Sequence, residues 1–330
     1  MVFAHERWFE FGDHPSDWGF AGETLTLVLL GCAVLVTLLV RVLARVWPGV
    51  DVPFLARLVP FMPFAIRLHL TVSLVGLLSL GFYLSPAMDL QADLAGILLG
   101  AVMAIVAIAM ATGWHARAGA ALLVAAGPLG MLEFGFLPVL SRVDLLGLAI
   151  YVLVAGPGRW SADRETGAAA EPSLAGHARA VWALKVAAGV ALIVVAFDEK
   201  LARPDLALAF LAGHPELNVA QQVGLGWSDL EFIRVAGAIE VLFGLLVISG
   251  ALPQAIVLIA GIPFNATLWF FGANELMGHL PIYGTMLVLL VYGSDPRLRP
   301  AVASLRIPSR PWTASRSSPA AAPASAGQPP

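Results

Sequence analysis

Long apolar runs, broken by short polar or Gly/Pro-rich stretches, dominate the order of residues in this chain. Roughly 20 mainly apolar residues suffice for a helix to cross a bilayer. By that measure nine spans are predicted, at 24–46, 67–84, 90–112, 118–140, 143–155, 178–197, 230–250, 252–271 and 282–293. The fifth and ninth are short. The runs lack the alternation over about ten residues that a membrane barrel requires, so they predict helices, the form in which a lipid-buried backbone satisfies its own hydrogen bonds. The fold class is therefore an all-α polytopic membrane protein.

Spacings between polar punctuation marks point to an internal repeat. Arg67 lies 19 residues before Pro86, and Lys185 lies 19 before Pro204. Gly113 and Gly156 are 43 apart, as are Gly250 and Gly293. The expected organisation is an N-terminal segment with one helix (1–66), a first four-helix unit (67–156), a linker (157–177), a second four-helix unit (178–294) and a disordered cytoplasmic tail (295–330). An even number of spans per unit gives both copies the same orientation. The linker between the copies is rich in Gly, Pro and charge. In the second unit, about 30 residues separate the first two spans, and LALAFLAG within them suits a short surface helix.

Composition strengthens the membrane reading. Charged residues make up 12% of the chain, against about a quarter in soluble domains. The first 23 residues carry five acids and one arginine, which is the wrong start for a cleavable signal. With the N-terminus outside, 14 of the 19 basic residues fall on the cytoplasmic side, which favours an N-out, C-in topology. The single Cys32 excludes a disulfide cycle within the chain. Dinucleotide, P-loop and nucleophile-elbow patterns are absent, as is a basic nucleic-acid stripe. The net charge of −3 constrains the partners little.

Chemistry then rests on polar residues inside apolar runs. Glu240 lies near the middle of the seventh span and Asn265 at a similar depth in the eighth, while Glu133 sits nearer a span end. An ionisable group at such depth is costly to insert and marks a functional candidate. The alternative for Glu240 is a protonated acid that glues helices together. Lys185 either snorkels to the headgroups or turns inward as a counter-charge for Glu240. Glu275 and His279 are spaced i and i+4 in NELMGHLPIYG, but Gly278 and Pro281 predict a helix break between them. Two or three ligands without a tight motif leave the metal assignment at none. The stretch AFDEKLARPD, with Asp198, Glu199, Lys200 and Arg203, reads as the outer end of the sixth span, opening the loop over the C-terminal bundle.

The KLARP segment (Lys200, Leu201, Pro204), the EVLFGLLVISG helix (Glu240, Gly244, Gly250) and the NELMGHLP turn together resemble the DoxX family of four-span membrane proteins. The resemblance covers about a third of the chain, from Lys185 to Gly293. The first unit has Phe82 and Tyr83 where Lys200 and Leu201 align, so it reads as a degenerate copy. The resemblance implies a multi-pass protein of a bacterial plasma membrane, associated with thiol or quinone redox systems, and at most the membrane subunit of an oxidoreductase. The expected pocket has Glu240 and Lys200 as proton-handling and orienting groups, with Asn265, Lys185, Glu275 and His279 lining or capping it. A quinone is the candidate lipophilic ligand, membrane lipid surrounds the protein, and electrons come from a redox partner protein. The rival is a scaffold that anchors a partner protein; a small-solute transporter ranks third, because the spans supply few polar groups for a path.

Overall fold

A computed structural model describes residues 6–10, 12 and 14–307. Every regular element among them is helical. We label the principal helices α1 (Thr24–Val46), α2 (Met62–Ser79), α3 (Leu94–Thr112), α4 (Ala116–Phe134), α5 (Val143–Ala155), α6 (Leu174–Val195), α7 (Pro204–Gly213), α8 (Asp229–Ser249), α9 (Pro253–Phe271), α10 (Ala273–Gly293) and α11 (Arg299–Ala303). Eight helical segments among the described residues are long and apolar enough to cross a membrane. The remaining predicted span, the fifth, is α5, whose 13 residues match the sequence reading and reach only ~20 Å.

Span ends move where local chemistry dictates. The second helix starts at Met62 because Pro63 suits a first helical turn. It stops at Ser79, just before Gly81 with φ +81°. The fourth ends at Phe134 where Gly135 takes φ +91°, and a short helix, Phe136–Leu140, follows. Ser173 caps α6, its hydroxyl accepting from the Gly176 N–H. The predicted break at Pro281 does not occur: α10 runs unbroken from Ala273 to Gly293, nine residues earlier than expected. A proline costs a helix one hydrogen bond, and in membrane helices neighbouring groups absorb the loss. One turn on, the Thr285 hydroxyl donates to the Pro281 carbonyl of the same helix.

Helices α2 to α5 pack in a ring, as do α6, α8, α9 and α10. The first helix of each ring packs on the last helix of the other, α2 on α10 and α6 on α5. The joint therefore has approximate two-fold character. Helix α1 lies outside both rings against α8, and most of its Leu and Val side chains are exposed, as lipid contact demands. Within the second ring Gly189 and Gly244 face each other so closely that a Cβ on either would meet the other's carbonyl, 2.5 and 2.7 Å away. Such small-residue crossings let membrane helices touch backbone to backbone.

One locking device appears in each ring. Arg67 at the start of α2 is buried and donates to the carbonyls of Met110, Arg159 and Trp160. Lys185 in α6 is buried and donates to the carbonyls of Val302 and Ser304 at 2.6 and 2.8 Å. In both cases some acceptors belong to the segment that follows the ring's last helix. Lys185 thus neither snorkels nor faces Glu240; it holds the chain beyond α10. The tail predicted to be disordered from 295 is ordered through α11, with Leu298, Ala301 and Val302 buried. The remainder of that predicted tail, 308–330, lies outside the described residues.

Candidate functional site

The stretch Ala196–Leu201 leaves α-helical geometry for a wider π turn at the end of α6. Such turns add a residue to the helical circuit and re-aim side chains, often at functional sites. Here the turn swings Lys200 into the bundle rather than toward solvent. Gly237 on α8 makes room: a Cβ there would lie 2.7 Å from the Leu201 side chain and 3.4 Å from the Lys200 Cβ. Glu240, three residues further along α8, lies on the same helical face. Its Oε2 sits 3.2 Å from the Lys200 ammonium.

A second carboxylate reaches the same ammonium from the far end of the sequence. Glu6 Oε1 is 3.2 Å from Lys200 Nζ, and the Glu6 backbone N–H donates to Glu199 Oε2 at 2.7 Å. Phe9 seals this segment, its ring 4.5 Å from that of Phe271 and 5.9 Å from that of Phe210 on α7. Alongside, Asp198 is paired with Arg203 and lies 3.9 Å from Arg7. Glu275 and His279 share one face of α10, with Oε1 and Nδ1 3.4 Å apart. The Phe264 ring stands edge-on to the imidazole at 4.6 Å. Glu6, Glu199, Lys200, Glu240, Glu275 and His279 are all buried.

Asp198, Glu199, Lys200, Glu275 and His279 are thus buried rather than solvated. Two predicted site residues do not join them. Asn265 is exposed on the outer side of α9, and its amide donates to the Gly261 carbonyl of its own helix. Lys185 is 15 residues from Lys200 along α6, ~22 Å at 1.5 Å per residue. Glu133 is also exposed, at the end of α4. Glu6 escapes sequence reasoning, because an acid in a run of N-terminal acids looks like solvated chain. Its only signal was the excess of acid before the first span.

Four carboxyls thus gather around one ammonium, with an imidazole at the edge. A buried charge without a partner costs several kcal/mol. Glu6, which lies before the first span, bears that cost. Burial, opposed by the Lys200 charge, pushes its carboxyl up to about 7. Glu240 and Glu275 also lie within electrostatic reach of it, and Glu199 interacts with it as well. Among the described residues no three His, Cys, Asp or Glu side chains are arranged to hold a metal ion.

The raised Glu6 value sets a pH dependence. Folded Glu6 keeps its proton to higher pH than the free chain, so protonation favours docking of the N-terminal segment. That contribution is full below the ordinary value of 4.5 and is lost as pH rises through about 7. Amide exchange at 6–10, normalised to intrinsic rates, is expected to quicken between about pH 5 and pH 9 in the wild type and to lose that trend in Glu6→Gln. Equal pH trends in the two proteins would remove Glu6 as the titrating group.

No protein-family model matches this chain, nor does any curated protein or any solved structure.

Proposed function

We propose that this integral membrane protein is a subunit of a redox system in which the Glu6–Lys200–Glu240 cluster exchanges protons with a lipophilic carrier, a quinone or a similar ring. The observation that carries the reading is one ammonium shared at 3.2 Å by two carboxylates inside an apolar helix bundle. Buried ionisable groups in membrane spans are expensive and are kept at proton relays and ligand pathways. Quinone reduction takes up two protons with two electrons, so it needs a proton donor within the apolar layer. In this reading Glu240 gives and takes the proton, Lys200 orients the acids, and Glu275 with His279 continues the path toward the α9–α10 edge. Electrons come from a partner protein. The resemblance of the Lys200–Pro204 and Glu240–Gly250 segments to the DoxX family points the same way.

The contacts around Lys200 leave no space between it and Glu240 for a ring. A carrier would therefore dock beside the cluster, where His279, Phe264 and Tyr283 group their rings. The second reading, a scaffold for a partner protein, draws on the same ion pairs: they tie the N-terminal segment to the bundle whether or not protons move.

Solvent extraction of lipophilic molecules from the purified protein separates the two. The redox reading expects near-stoichiometric quinone in the wild type and a loss of about tenfold in folded Glu240→Gln, the range of one buried charged hydrogen bond. A folded wild type that carries no quinone and binds none when supplied would leave the scaffold reading in its place.

A further inference from the structure

A cavity of about 190 Å³ lies where the two rings meet, on the side of the molecule that carries the N-terminal segment. Its walls come from both rings and the N-terminus: Arg7 and Trp8, the Ser85–Ala87 turn, Ser141 and Arg142 before α5, and Asp198, Glu199 and Arg203 at the π turn. It holds the volume of about six waters. That is room for one small ion and part of its hydration, and too little for a lipid headgroup with its glycerol.

Arg142 gives the cavity its chemistry. The side chain is 2% exposed. Its Nε donates to the Leu84 carbonyl and its Nη1 to the Gly278 carbonyl, both at 3.1 Å, and Asp144 lies 3.8 Å from Nη1. Nη2 is buried with no hydrogen-bond partner. With Nε and Nη1 bonded, the third nitrogen of this guanidinium, in a residue that lines the cavity, is a charged donor whose missing acceptor costs free energy. Arg7 and Arg203 also line the cavity, and both are turned toward Asp198. The wall thus carries three guanidiniums against the carboxyls of Asp198 and Glu199, and Asp198 is already engaged. The Ser85 and Ser141 side chains add hydroxyls.

We propose that this cavity is a binding site for a small soluble oxyanion, a short carboxylate or a tetrahedral anion, held by Arg142 Nη2. The chemistry favours oxygen anions, because a charge-assisted N–H···O⁻ bond from Nη2 is short and about twice as strong as a neutral one. The site differs from the proton-exchanging cluster: the two touch at Glu199, but Lys200, Glu240 and Glu275 do not line the cavity.

The test is thermal unfolding and calorimetric titration of the full-length protein in a phosphate-free maltoside detergent. Sulfate, inorganic phosphate, acetate and chloride are titrated at constant ionic strength. At least one oxyanion is expected to bind saturably and raise the unfolding temperature more than chloride does. Arg142→Gln should weaken that binding by about tenfold or more. Because Arg142 also holds two carbonyls, that variant can lose its fold, so Ser141→Leu supplies a second test by filling the cavity with Arg142 intact. Loss of binding in folded Ser141→Leu supports the site. Three results would overturn it: no saturable oxyanion binding to the wild type, undiminished binding in both folded variants, or stabilisation only by added phosphatidylglycerol.

Discussion

Lys200→Met is expected to lower the unfolding free energy by about 3–5 kcal/mol, the range for removing one partner from a buried charge set. Methionine fills nearly the same volume, so little of that loss is packing. The cost arises because Glu6 and Glu240, each 3.2 Å from the ammonium, are left facing one another in an apolar bundle. The same variant should loosen the N-terminal segment, since Glu6 is held through its backbone by Glu199 and through its side chain by Lys200. Adding Glu240→Gln to Lys200→Met should recover part of the loss, because a neutral pair is easier to bury than a lone acid. Denaturant-driven unfolding in mixed micelles, with the two single variants and the double, measures this coupling. A Lys200→Met protein within about 1 kcal/mol of wild type would place the cluster in the range of exposed ion pairs instead.

The sequence was most readable where hydrophobicity alone decides the outcome. Nine apolar runs became helices, and α5 kept its predicted ends to the residue. Helix ends shifted where single residues intervene, as at Ser173, Gly135 and Pro63. Glu240 was legible because an ionisable residue within an apolar span stands out, whereas Lys200, Glu275 and His279 were singled out by the KLARP and NELMGHLP segments. How they assemble was not readable. A π turn has no compositional mark, yet it carries Lys200 inward. Glu6 comes from nearly two hundred residues away and looks like one more solvated acid.

Asn265 shows a limit specific to membrane chains. Lipid and protein interior are both apolar, so the neighbours of a polar residue do not reveal which side of the helix it occupies. Self-bonding to Gly261 lets this amide face outward with its donor satisfied. Arg142 entered the sequence reading only as a charge to be counted for topology. Its bare Nη2 depends on three distant partners, the carbonyls of Leu84 and Gly278 and the carboxylate of Asp144. Only the assembled rings bring these together.

Two glycines of the repeat spacings lead to the second large effect. Gly113 and Gly250 end α3 and α8 in the left-handed region, at φ +66° and +61°. Two residues after each, His115 and Leu252 take φ +48° and +45°. A Cβ at Gly250 would lie 1.9 Å from the Val302 carbonyl oxygen and 2.9 Å from Lys185 Nζ. At Gly113 it would lie 2.2 Å from Arg67 Nη1 and 2.4 Å from the Ser161 Cβ. In each ring the glycine therefore clears the space where the basic residue grips the segment beyond the last helix.

Gly250→Ala is expected to cost about 2–4 kcal/mol, combining left-handed backbone strain with displacement of the Val302 carbonyl. Gly113→Ala should cost a similar amount, because Ser161 Cβ and Cα would lie 2.4 and 2.7 Å away and the Arg67 guanidinium is pinned by its carbonyls. Proteolysis should then open the chain near 299–307 in the first variant and near 157–165 in the second. If both variants unfold at the wild-type temperature with both segments protected, the glycines are ordinary helix caps and the basic residues hold those segments unaided. If each variant frees only its own segment, the two rings carry separate copies of one lock, the result a duplicated unit would give.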